Sequence, residues 1–394
     1  MSQLLATLVV MEEGIGRRIK LFRRQRGLTG EELGQAVGLR KDQISRIESG
    51  ERRIEVTEAA LIAEALEVTI GDLLGNKPSK SLALAARVMA PLADGEAAPA
   101  QLRVRQILEV DSVLANATGS KTPEPSEGGL SAYEHARHSS PRASSTNRGY
   151  AIAKAVRSDL GLGGAPILDL PALIESNFGV DVVFWPTGES VSGLCVHGDG
   201  VAVLFVSSSF PYGHQRFTLA HELAHHLVDD PQEVVIDEDL FGRGTPPETT
   251  ANAFAAELLM PDSSIKSLVD RQRVDASTIQ MLMRTFGVSY QALIVRLHAL
   301  RLISDNARTA WEARSPSSVL REAGDPDPAE LVFADGAKRV PPRLWRTARL
   351  GYSEGKVGIS ALAGLQQRDP EDLYTELVEE GLYPPLVQDD LSDI

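Results

Sequence analysis

Apolar residues recur at three- and four-residue intervals along most of the chain, the pattern of helices that bury one face. Over the first seventy-odd residues they mark a bundle of short helices. The first runs to about Arg26. The second opens on Thr29-x-x-Glu32, a capping-box spacing, and turns Leu33 and Val37 inward. Gly38 makes the turn. The third begins near Arg40, buries Ile44 and Ile47 and stops at Gly50, which leaves Arg40, Lys41, Gln43 and Arg46 facing outward. From Lys77 the sequence is Ala-rich, with helix-compatible stretches near 81–92 and 100–114. Periodicity is then lost over 116–147, a Pro/Gly/Ser/Thr-rich tract that reads as a flexible linker.

The pattern changes once. Helices over 151–160 and 171–178 precede strand-like runs at Asp181–Trp185, Val191–Val196 and Val201–Ser207. A helix from about His214 follows, with Leu219, Leu223 and Leu227 on one face and Pro231 closing the segment. Beyond Pro261, Ile279, Leu282 and Met283 lead through an FGVS turn into a second amphipathic helix, an arrangement like a small helix-turn-helix that reads as structural packing. Residues 304–340 are Asp/Pro/Arg-rich and loop-like, and 342–382 hold three short helices before an acidic tail. The expected fold class is α+β and mostly helical. It comprises an all-α N-terminal bundle (1–76), a helical connector and flexible linker (77–148), a domain with a small β-sheet (149–303) and a C-terminal helical region (304–394) for interaction or packing.

A length of 394 residues accommodates about two to four domains of ordinary size. Cys195 is the only cysteine, so an internal disulfide is excluded, and its apolar neighbours mark it as a packed strand residue. The first ten residues carry an apolar run without a basic region before it. No run approaches the roughly 18 apolar residues of a membrane span. A cytoplasmic protein with no membrane partner is expected. Net charge is −14, yet Gly14 to Ile54 carries a local +6 and leaves −20 for the remainder, a segregation that points to a basic module for phosphate.

The candidate chemistry lies in Phe217-Thr-Leu-Ala-His221-Glu222-Leu-Ala-His225. Histidines four apart on a helix differ by about 40° around its axis, so His221 and His225 can face one metal ion. A glutamate directly after the first histidine is the general base in the HExxH grammar of zinc hydrolases, which assigns that role to Glu222. A further histidine six residues beyond the second is ruled out by Pro231. The chain offers instead Glu248 and Asn252, a carboxylate and an amide one turn apart that can address the same site. His226 points about 100° away from His225 and reads as packing or support. Asp229, one turn on, is placed to orient the ring of His225, and Asn252 to support Glu248. His214 reads as a helix cap or surface residue, and His135 and His138 in the linker as solvated.

The strings RFTLAHELAHH and ETTANAFAAELLMP resemble the two signature segments of the ImmA/IrrE family of metallopeptidases. That resemblance implies a zincin-like domain with His221, His225 and Glu248 as zinc ligands and Glu222 as base, with Ala224 standing where the family usually has Gly. Mn²⁺ could replace Zn²⁺ in vitro, since such a donor set chooses weakly between divalent ions. The segment from about Gly14 to Gly75, particularly LTGEELGQAVGL and QISRIESGERRI, resembles the XRE (Cro/cI-type) helix-turn-helix family. It implies that the helix from Arg40 to Glu48 enters the major groove of double-stranded DNA, with Gln43 as base reader and Arg17, Arg52 and Arg53 on phosphates. Arg40 departs from the family's usual small hydroxyl cap.

Together these readings point to a DNA-binding zinc endopeptidase. The family resemblance implies that its substrate is a transcriptional repressor, cleaved under stress or mobile-element induction; a homodimer is compatible with it. The alternative is a transcription regulator or antitoxin-like protein whose metallopeptidase fold acts as sensor or interaction domain.

Overall fold

The structure, a computed structural model, describes residues 14–24, 26–52, 54, 56–66, 68, 73, 98–119, 134, 136, 144–188, 191–198, 201–228, 245–269 and 274–384. Arg53, Asp229, His135, His138, the Ala-rich stretch at 81–92 and most of the expected linker lie outside them. The chain divides into two compact units. One holds 1–87, 101–121 and 342–394, the other 88–100 and 122–341.

The first unit begins with α1 (residues 14–24), α2 (Gly30–Ala36), α3 (Lys41–Ser49) and α4 (Val56–Ala65). Both halves of the capping box at α2 are made. Thr29 Oγ1 accepts from the Glu32 amide at 3.2 Å, and Glu32 Oε2 accepts from the Thr29 amide at 2.7 Å. Gly50 ends α3 in the left-handed conformation. Ile15, Ile19, Leu33, Val37, Ile44, Ile47, Ile62 and Leu66 form the core of this bundle. Arg23 spans it to Glu48 through hydrogen bonds of 2.5 and 2.9 Å. The long helix α5 (Ala98–Thr118) follows.

The second unit starts with α6 (Ser145–Asp159) and α7 (Leu170–Phe178). Strands β1 (Val180–Trp185), β2 (Gly193–Gly198) and β3 (Val201–Ser207) form one sheet in the order β1-β3-β2. β1 is parallel to β3, with Val182 opposite Leu204, and β2 is antiparallel to β3, with Cys195 opposite the same Leu204. A central strand buried on both faces explains the unbroken apolar run Val203–Val206. Helix α8 (Tyr212–Leu227) lies on β2 and β3, α7 lies on β1, and α9 (Pro246–Leu259) packs against α6 and α8; Leu219, Leu223 and Leu227 enter the core as their spacing predicts. Helix α6 reaches α9 at Gly149, where an added Cβ would stand 2.3 Å from the carbonyl oxygen of Thr250. Only glycine lets these two backbones approach so closely.

Helices α10 (Asp262–Leu268), α11 (Ala276–Phe286) and α12 (Tyr290–Ala299) complete the core. The α11–α12 pair is the second helix-turn-helix seen in the sequence. Its second helix buries Leu293, Ile294, Arg296 and Leu297, so it serves packing. Arg296 pairs with buried Glu257 of α9 and donates from Nε to the Met260 carbonyl at 3.0 Å.

The loop-like reading of 304–340 stands for 333–340 and is overturned for 304–332. This stretch forms α13 (Asp305–Glu312), α14 (Pro316–Glu322) and α15 (Pro328–Val332). Ser304, Ser315 and Asp327 cap them, and Pro316 and Pro328 stand in their first turns. The Asp and Pro taken as loop signals, with the serines beside them, are helix-start signals, each serving a helix of about two turns or fewer. Beyond α15, Arg339 exchanges backbone hydrogen bonds with Phe184 at 2.9 and 3.1 Å, and its guanidinium grips Glu175 at 2.7 Å through both terminal nitrogens. This segment lies along the outer edge of β1.

Three short helices close the described chain as expected: α16 (Pro342–Ser353), α17 (Ile359–Gln366) and α18 (Pro370–Glu379). They belong with α5 in the first unit. Arg343 of α16 meets Asp111 of α5 at 2.7 and 3.0 Å, and Arg103 of α5 donates to the Gly364 and Leu365 carbonyls that end α17. Among the described residues no helix is long and apolar enough to cross a membrane.

Candidate metal centre and nucleic-acid interface

Helix α8 carries His221, Glu222 and His225, all at most 2% exposed. Across from it, Pro246 and Pro247 begin α9 and place Glu248 in its first turn, where the amide ends of a helix favour a carboxylate. The three expected ligands converge. His221 Nε2 lies 3.1 Å from Glu248 Oε2, His225 Nε2 lies 3.4 Å from Glu248 Oε1, and the two Nε2 atoms are 2.9 Å apart. Donor atoms around a tetrahedral zinc stand roughly 3.3 Å apart, given bonds of about 2.0–2.1 Å, so the spacing fits such an ion. Among the described residues this is the one cluster of three such side chains within ligating reach. Burial alone would push the Glu248 carboxyl up. The hydrogen bonds and charges of His221 and His225 outweigh it and hold that group at about 2, so it is an anion ready to ligate.

Asn252, expected to support Glu248, has its Oδ1 2.9 Å from His221 Nδ1. An amide oxygen accepts, so His221 donates from Nδ1, and Nε2, which faces Glu248 and His225, is the nitrogen that can ligate once it gives up its own proton. His226 is half-buried and outside the triad. His214, read as a cap or surface residue, is packed instead. Its ring stacks on Phe210 at 4.4 Å, and Nε2 lies 3.3 Å from Ser192 Oγ. Burial lowers its pKa to about 4, which leaves it neutral at pH 7.

Glu222 lies against the edge strand. A Cβ added at Gly193 of β2 would stand 2.8 Å from Glu222 Oε1 and 2.6 Å from the Thr218 methyl, so a glycine here lets the carboxylate lie on strand backbone. Cys195, two residues on, shares that strand face. Burial first, and then the charge of Glu222, raise its thiol well above the ordinary range, which makes it an inert thiol. Gly193 was missed in the sequence reading. Its signal was a lone glycine within an apolar strand run.

On the basic bundle, Arg17, Arg40, Lys41 and Arg46 are exposed. Arg40 pairs with Asp42 at 3.2 Å, and Lys41 lies 3.9 Å from Glu31. Arg52, expected on phosphate, is half-buried and bound to Glu58 at 2.7 Å. Gln43 is half-buried, and its Oε1 accepts from the backbone amide of Arg40 at 2.9 Å.

Residues 19–73 match the family described as helix-turn-helix, and residues 175–298 match a peptidase family described as the IrrE N-terminal-like domain. The chain thus joins a helix-turn-helix DNA-binding domain to a domain of the IrrE-like peptidase family. No curated protein matches the chain. Two solved structures are similar over most of its length. One is PlcR of Bacillus thuringiensis in complex with the peptide PapR7 and DNA, at 11% identity and TM-score 0.20, covering 94% of this chain and 99% of that one. The other is the apo competence regulator ComR of Streptococcus vestibularis, at 14% identity and TM-score 0.16, covering 82% and 99%. Nothing about the activity of this chain follows from likeness at that level.

Proposed function

We propose that the second unit is a zinc-dependent endopeptidase acting on a protein substrate, a transcriptional repressor, and that the helix-turn-helix domain carries it to DNA. One observation supports this most. Two imidazoles and a carboxylate converge within ligating distance, and a buried glutamate lies beside them on the edge strand of a sheet. His221, His225 and Glu248 would hold the ion. When bound, it supplies a Lewis acid that acidifies water and polarises a carbonyl. Glu222 takes the proton of the attacking water and returns it to the leaving amine. Strand β2 offers its outer edge to an extended substrate, whose main chain would pair with it and bring a peptide carbonyl past Glu222. Asn252 keeps His221 in the tautomer that ligation needs.

The test is elemental analysis of the purified chain together with incubation against repressors encoded beside its gene. The expected result is one zinc per chain and a cleaved repressor, with cleavage absent in Glu222→Gln. A metal-loaded wild type that leaves every such repressor intact would reject the peptidase reading.

A further inference from the structure

Helix α3 has no hydroxyl or carboxylate at its N-cap. Arg40 stands there, and a guanidinium cannot accept the amide hydrogens that begin a helix. Gln43, three residues on, makes the one capping contact, with Oε1 2.9 Å from the Arg40 amide nitrogen. Reading an adenine with glutamine takes both ends of the side chain, the oxygen for the adenine amino group and the nitrogen for N7. With the oxygen engaged in the cap, Nε2 is the end of Gln43 left without a contact among the described residues, and a lone donor is satisfied alike by adenine, guanine and thymine in the major groove.

The outward residues of α3 are Lys41, Asp42, Ser45, Arg46 and Ser49. Asp42 stands one turn before Arg46 and would be its natural partner. It is taken by Arg40 instead, through contacts of 3.2 and 3.3 Å. That pairing sets a cation beside Asp42 and leaves Arg46 without it. The Arg46 guanidinium makes no hydrogen bond or ion pair among the described residues, and it projects from the helix that such domains lay in the major groove. A free guanidinium presents two parallel donors, which match O6 and N7 of guanine.

We infer that Arg46 is the specificity-determining residue of α3 and reads a guanine, while Gln43 is a helix cap and reads no base. This rests on the DNA-binding reading of residues 19–73.

The test is selection of binding sites from a randomised duplex library by the full-length chain, for wild type, Arg46→Ala, Gln43→Ala and Gln43→Glu, at fixed salt. Wild type should select a site with an invariant guanine, and Arg46→Ala should lose the preference there by roughly 10- to 100-fold. Gln43→Ala should select the same site yet lower the first thermal unfolding transition by a few degrees, with Gln43→Glu, which keeps the acceptor, restoring it. An adenine lost from the site in Gln43→Ala, with the site unchanged in Arg46→Ala, would overturn the inference. Salt-dependent binding without any selected sequence would also overturn it and leave the DNA-binding reading standing. Absence of binding at every salt concentration would remove both.

Discussion

Asn252 and His221 meet across 2.9 Å, amide oxygen to Nδ1, from two different helices of the candidate metal centre. The contact decides which imidazole nitrogen is free to ligate. Replacing Asn252 with Leu should weaken metal binding about 10- to 100-fold, the usual effect of removing a hydrogen-bond partner behind a ligating histidine. Asn252→Asp should keep affinity, because a carboxylate accepts the same proton. Competition titration of the metal-free chain against a chelator reads both, and equal affinities for wild type and Asn252→Leu would discard this role.

Gly193 and Glu222 are the second such relationship. In Gly193→Ala the new methyl would press on both the Glu222 carboxylate and the Thr218 side chain. Metal content should be retained. Cleavage should fall on the order of 100-fold, as expected when a catalytic group is moved by about an ångström. Adding Thr218→Ser removes one of the two clashes. Stability should then recover while cleavage stays low. Recovery of cleavage in the double variant would mean that Gly193 matters for packing alone.

The features legible in the sequence are those carried by local pattern. The HExxH helix, the three strand runs and the capping box at Thr29 and Glu32 each depend on residues within a few positions of one another, and each is present. The strand order β1-β3-β2 depends on how a parallel and an antiparallel partner share β3, which no local spacing encodes. The partner of Asn252 lies 31 residues away on another helix, so sharing a stripe with Glu248 did not predict it. Periodicity places Gln43 outward, but it is half-buried, because Arg40 cannot cap α3 and Gln43 is drawn into that task. In 304–340 the residues that open helices are the same ones that make loops. Their helices are too short for an apolar period to separate the two.

His214 should make stability pH-dependent. Burial holds its pKa at about 4 in the folded chain, whereas an unfolded histidine titrates near 6.5 on ordinary values. Between those limits the unfolded chain binds the extra proton, so stability falls as pH drops from about 6.5 to about 4 and is restored above that window. The slope from this one group is at most about 1.4 kcal/mol per pH unit. His214→Gln should flatten the dependence of the urea midpoint between pH 7 and pH 5, provided the variant folds. An unchanged slope would place the titrating group elsewhere.

The unit that holds the candidate metal centre runs past 303, to Pro341. Arg284 of α11 holds the buried Asp325 with contacts of 2.6 and 2.7 Å, and that carboxyl is kept at about 2 chiefly by these hydrogen bonds, against the opposing effect of burial. Val319 and Leu320 of α14 belong to the same core as α8 and α9. The Arg339–Glu175 pair and its two backbone hydrogen bonds lie along β1. A chain cut at 303, where sequence periodicity weakens, would lose all of these and leave apolar core and the β1 edge open to water. Such an edge is prone to pair with other chains. Residues 144–341 should therefore unfold cooperatively and bind one metal ion, whereas 144–303 should aggregate or unfold at markedly lower temperature. Calorimetry and metal titration of the two fragments test this. Equal melting temperatures for both would show that α13–α15 and the segment after them lie on the unit without supporting it.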